Sequence, residues 1–63
     1  DITMARLNEM KLGDTFLMDG LAPNGQTVKV KATLIDNEDN NYIVLSEGNR
    51  ILLDGYEFVS KLQ

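Results

Sequence analysis

The sequence contains no cysteine and no histidine. The first absence removes disulfides, thiolate nucleophiles and zinc fingers together, and the second removes the commonest metal ligand and general base. Tryptophan is also missing, proline occurs once, and tyrosine and phenylalanine occur twice each. Basic residues are scarce: six against ten acidic ones give a formal charge of −4. A field of that sign opposes sequence-independent binding to a polyanion. No apolar run reaches the roughly 18 residues of a membrane span, and the first residues carry no basic-then-apolar signal pattern. A cytoplasmic, non-catalytic protein without cofactor, metal or membrane contact is the expectation from these absences. The chain begins at Asp1 rather than at a methionine, which leads us to expect a processed or trimmed N-terminus.

What is present is organised around Thr27 to Ser46, in which TVKVKATLI runs into the polar hexapeptide DNEDNN and leaves it as YIVLS. Val28, Val30, Ala32 and Leu34 alternate with Thr27, Lys29, Lys31 and Thr33, the period of a half-buried strand. Asp36 to Asn41 holds nothing that packs, and Asn and Asp tolerate left-handed backbone, so it reads as a hairpin loop. Pairing Ile35 with Tyr42 across it sets Leu34 against Ile43 and Ala32 against Leu45, which makes the apolar faces of both strands coincide. Ile35, Tyr42 and Val44 then face outward. Gly48-Asn49 marks the next turn. A three-residue loop that includes Glu47 pairs Leu45 with Ile51 and Ile43 with Leu53, keeps the most apolar side chains inside, and adds Leu52 to the outward set.

Before the hairpin, Asp1 to Met10 reads as a short helix capped by Asp1 or Thr3, with Met4, Leu7 and Met10 on one face and Gly13 as its stop. Gly13-Asp14 is a turn. Thr15 to Asp19 is a strand with Phe16 and Met18 inward and Leu17 outward, and Gly20 to Gln26 is the longest loop. After the hairpin, Asp54 to Phe58 is a turn with one helical turn, and Val59 to Leu62 is a last short strand. The sum is a single domain, residues 1–63, with an N-terminal helix over 1–12 and an all-β body over 14–63. About five short strands in so few residues point to a small barrel, which leaves no long exposed edge. Over residues 14–63 the chain resembles the SH3-like small barrel in outline: a long loop after strand one, a central hairpin, a helical turn between Leu53 and Val59, and a short final strand. The resemblance is to a fold and carries no function motif.

Three sites follow from this reading. The outward set Ile35, Tyr42, Val44 and Leu52 is an apolar patch of the kind that marks an interface, to a protein partner or a second copy, with Tyr42 at its rim. Lys29 and Lys31 on one strand face, with Tyr42 nearby, form the alternative, a nucleic-acid-binding surface. Asp36, Glu38, Asn40 and Glu47 occupy positions one, three, five and twelve of a calcium loop, but Asn41 stands where that loop needs glycine and the flanks are strand-like, so no metal site is expected. The domain is thus read as a protein-interaction module, an adaptor or small inhibitor.

Overall fold

In the computed structural model, which describes residues 2–62, the chain forms one antiparallel sheet of six strands in the order β1-β6-β2-β3-β4-β5. The strands are β1 (Ile2–Arg6), β2 (Thr15–Leu21), β3 (Thr27–Asp36), β4 (Tyr42–Ser46), β5 (Asn49–Leu53) and β6 (Phe58–Leu62). The end strands β1 and β5 are not paired to each other, so the sheet is bent but not closed.

β3 makes the bend. Its residues Thr27 to Thr33 pair with β2, and Thr33 to Asp36 pair with β4, so one long strand passes from one half of the sheet to the other. The halves fold over a core of Leu7, Met10, Phe16, Met18, Ala32, Leu34, Val44 and Val59. The alternation read in β2 and β3 holds. Phe16 and Met18 are buried with Ala32 and Leu34, while Val28 on the same face is exposed because its cross-strand partner is Gly20, which offers it no side chain. β6 lies beside β2 through Phe16–Lys61 and Leu17–Ser60.

The N-terminal helix is not there. Residues 2–6 form β1 along the whole of β6, and only Leu7–Glu9 turn, as one 3-10 turn closed by the Met10 amide donating to the Leu7 carbonyl. The spacing of Met4, Leu7 and Met10 suits a helix, but so short a helix is marginal in water, whereas β6 offers this segment a full hydrogen-bonded ladder. The stripe is split: Leu7 and Met10 are core, and Met4 is exposed on the outer face. Asp1, one of the two caps considered, lies outside the described residues. The strand count is therefore six, not five.

The central hairpin also departs from expectation. Leu34 faces Val44 and Thr33 faces Leu45, with a bulge at Ile35 before Asp36 faces Ile43. This differs by one residue from the Leu34–Ile43 pairing, and a slip of one residue exchanges the two faces of β4. Val44 is accordingly core and Leu45 is 39% exposed. The turn into β5 is Glu47-Gly48, with φ of 52° and 80°. Both values are left-handed, the requirement of a two-residue type I′ hairpin, and glycine takes the second position without strain. It pairs Ser46 with Asn49, Leu45 with Arg50, Ile43 with Leu52 and Tyr42 with Leu53, rather than the three-residue register. Between β5 and β6 the expected helical turn is a simple turn: the Glu57 amide donates to the Asp54 carbonyl, and the Tyr56 amide donates to Asp54 Oδ1. Among the described residues no helix is long and apolar enough to cross a membrane.

Candidate functional site

The four residues expected to form one apolar patch are divided by this register. Val44 is buried between Leu34 and Ile51. Tyr42 shares the core side of its strand and is half-buried. Ile35 sits at the bulge, and Leu52 is 66% exposed on the outer face beside Ile43. The outer face of β4 and β5 is thus apolar with a different membership: Ile43, Leu45 and Leu52.

The nucleic-acid set is not brought together either. Lys29 and Lys31 lie opposite Asp19 and Leu17 on the outer face of the other half of the sheet, while Tyr42 is on the core side of β4. Lys29 Nζ is 2.7 Å from Asp19 Oδ1, so one of the two lysines is already neutralised.

The calcium-loop positions also separate. Asp36 Oδ1 accepts from the Glu38 amide at 3.0 Å, which stiffens the hairpin tip. Glu47 lies beyond the far end of β4, and five strand residues span roughly 15 Å. Among the described residues no group of three or more carboxylates could hold a metal ion. Millimolar calcium is therefore expected to leave the thermal midpoint unchanged, since a ligand bound only by the folded state must raise it. A rise of several degrees that Asp36→Asn abolishes would show a site after all.

Tyr42 belongs to another feature, a cleft of about 540 Å³ at the open end of the β4–β5 hairpin. Three segments meet there. The β3–β4 loop contributes Asn40 and Asn41, the end of β5 and its turn contribute Leu52 to Tyr56, and the 3-10 turn contributes Asn8. Their meeting is fixed by backbone bonds: the Asn8 amide donates to the Gly55 carbonyl and the Leu7 amide to the Glu57 carbonyl, both at 2.8 Å. Gly55 lets the Tyr42 ring close over the turn, for a Cβ at that position would stand 2.7 Å from Tyr42 Cε1. Tyr56 is 70% exposed, and its backbone is tethered by Arg6, whose Nη1 donates to the Tyr56 carbonyl at 2.8 Å. The Arg6 guanidinium rests on the Phe58 ring, 4.2 Å from its centre, a cation–π contact that fixes the tether.

The lining combines two phenols, three amides and one carboxylate with the aliphatic Leu52 and Leu53. Such a set recognises by ring contact and neutral hydrogen bonds. Among the described residues no cation lines the cleft to attract a phosphate, and no nucleophile is paired there with a base. Sequence reasoning singled out Tyr42, though on the outward face, and did not single out Tyr56, Asn8 or Asn41. The Asn-rich loop and the Asp54-Gly55-Tyr56 turn were each visible, but the Tyr42–Leu53 pairing places them side by side and the Asn8–Gly55 bond adds Asn8. No protein-family model, no curated protein and no solved structure matches the chain.

Proposed function

We propose that this chain is a non-catalytic protein-interaction module, an adaptor or small inhibitor of a larger protein, and that its contact is centred on the cleft between Tyr42 and Tyr56. The observation that carries the reading is the pairing of a 70% exposed Tyr56 and a 66% exposed Leu52 with a half-buried Tyr42 around one concavity. Tyrosine supplies apolar area and a hydroxyl at low entropy cost, and exposed tyrosines anchored from below are the usual centres of binding energy. An SH3-like barrel remains our reading of the fold, supported by β6 returning beside β2, which gives the last five strands the order β6-β2-β3-β4-β5 in a bent, open sheet. A reducing compartment such as the cytoplasm suits a chain without cysteine.

Tyr56→Ala is the test. Its ring packs on no core residue, so unfolding free energy should change by no more than about 0.5 kcal/mol. Partners captured by the wild-type domain should be lost. Tyr42→Ala should behave differently, with binding lost and stability reduced by about 2 kcal/mol, because half of a large ring is buried. Retention of the same partners by the folded Tyr56→Ala variant would remove the cleft from the proposal.

A further inference from the structure

The free edge of β5 carries an inference drawn from its backbone and charges rather than from the cleft, although Leu52 and Asp54 border both. The Glu47-Gly48 turn makes Ser46 and Asn49 a hydrogen-bonded pair. Alternation along an antiparallel ladder then turns the amides and carbonyls of Arg50 and Leu52 away from β4, while the carbonyl of Asp54, just past the strand, accepts the Glu57 amide. Among the described residues no strand covers that side. Asn49 to Leu53 has no proline, lysine or bulge on this edge, and its one charge is Arg50. At the other end of the sheet the β1 edge is blunted, because the Arg6 amide is taken by Glu9 Oε2 at 2.8 Å.

We propose that β5 pairs with β5 of a second copy, antiparallel, about a two-fold axis at Leu52. The register is selected in two steps. Outward-pointing residues must face outward-pointing residues, which permits symmetric pairings centred on a residue and forbids those centred between two. Of these, a centre at Arg50 opposes two arginines. A centre at Ile51 sets Arg50 against Leu52, and a centre at Leu53 sets Leu52 against Asp54. Only the centre at Leu52 joins Arg50 of each copy to Asp54 of the other.

Side chains agree with that choice. Arg50 and Leu52 lie on the outer face, opposite Leu45 and Ile43, and Asp54 follows with the same parity. The two-fold keeps outer faces together, so Leu52 meets Leu52 at the centre with an Arg50–Asp54 pair on either side. Both charges are available. The ion pair among the described residues joins Lys29 to Asp19, and Asp54 engages the Tyr56 amide through Oδ1, leaving Oδ2. The surface is short, so the dimer is weak and depends on concentration.

Sedimentation equilibrium over a concentration series tests this. The wild-type weight-average mass should rise from 7.0 kDa toward twice that value. Arg50→Asp and Asp54→Arg each create two like-charge pairs and should each weaken dimerisation by roughly tenfold or more. Mixed in equal amounts they should dimerise again, because both cross-pairs then join opposite charges. Leu52→Pro gives a second route should Asp54→Arg fail to fold. Its lost amide points to the edge, where proline is tolerated in the monomer but blocks strand addition. It should stay monomeric at every concentration. A wild-type mass of one chain throughout would overturn the proposal and leave the edge to a foreign strand. A mixture no better associated than its components would overturn the register.

Discussion

Val44→Asp is expected to leave the chain unfolded, whereas Leu45→Asp, one position further, folds with a stability within about 1 kcal/mol of wild type. Val44 has no accessible surface and stands between Leu34 and Ile51 across the two neighbouring strands. An aspartate there has no partner, and burying an unpaired carboxylate costs several kcal/mol even when it protonates. A chain of 63 residues has roughly 3–9 kcal/mol to lose on the general scale of 0.05–0.15 per residue. Leu45 is on the other face, 39% exposed, opposite Thr33 on one side and Arg50 on the other. A carboxylate at that position remains in water beside a cation. Far-UV circular dichroism and urea unfolding of the two variants decide the matter, and the reverse order would mean that β4 is paired one residue away.

That single residue is where sequence reasoning and structure part. Thr15 to Asp19 and Thr27 to Ile35 declare their inward faces by alternation, and Phe16, Met18, Ala32 and Leu34 are buried as their period requires. Tyr42 to Ser46 has a less decisive pattern, for Tyr42, Ile43, Val44 and Leu45 are apolar in succession and either face could serve. The choice falls to the loops. Ile35 is absorbed in a bulge, and Asp39, Asn40 and Glu47 take positive φ, backbone choices that composition does not announce for a glutamate. The N-terminal segment shows a related limit. A spacing of three marks Met4, Leu7 and Met10 for a helix, but Met4 is claimed by β6, which lies more than fifty positions further on, and Leu7 and Met10 by the core. The site was legible to the same degree. An aromatic at the hairpin end is visible in the sequence, whereas Tyr56 reaches Tyr42 through the Tyr42–Leu53 pairing and Asn8 through the bond from its amide to the Gly55 carbonyl.

Gly55→Ala should destabilise the fold by about 1–3 kcal/mol and disturb the cleft from its floor. The added methyl would come within 2.7 Å of Tyr42 Cε1, 3.3 Å of Tyr42 Cδ1 and 3.2 Å of Asn8 Cβ. Relief is blocked in both directions. The Tyr42 ring cannot retreat, because it packs against the buried core, and the Gly55 segment cannot withdraw without stretching the 2.8 Å bond that the Asn8 amide makes to its carbonyl. Backbone conformation is not the obstacle, since φ at Gly55 is not among the positive values. The substitution should therefore cost much less in a background that lacks the ring. With Tyr42→Ala already made, replacing Gly55 by alanine removes freedom from the unfolded chain and meets Asn8 Cβ at 3.2 Å, so it should cost at least about 1 kcal/mol less than in the wild type. The coupling between the two positions, read from urea unfolding of the wild type, both single variants and the double variant, is then at least about 1 kcal/mol, as for residues in direct contact. An equal cost of Gly55→Ala in both backgrounds would mean that the close approach to Tyr42 is not what holds glycine at this position, and the ring would lose its role as the fixed floor on which Tyr56 and Leu52 present the binding surface.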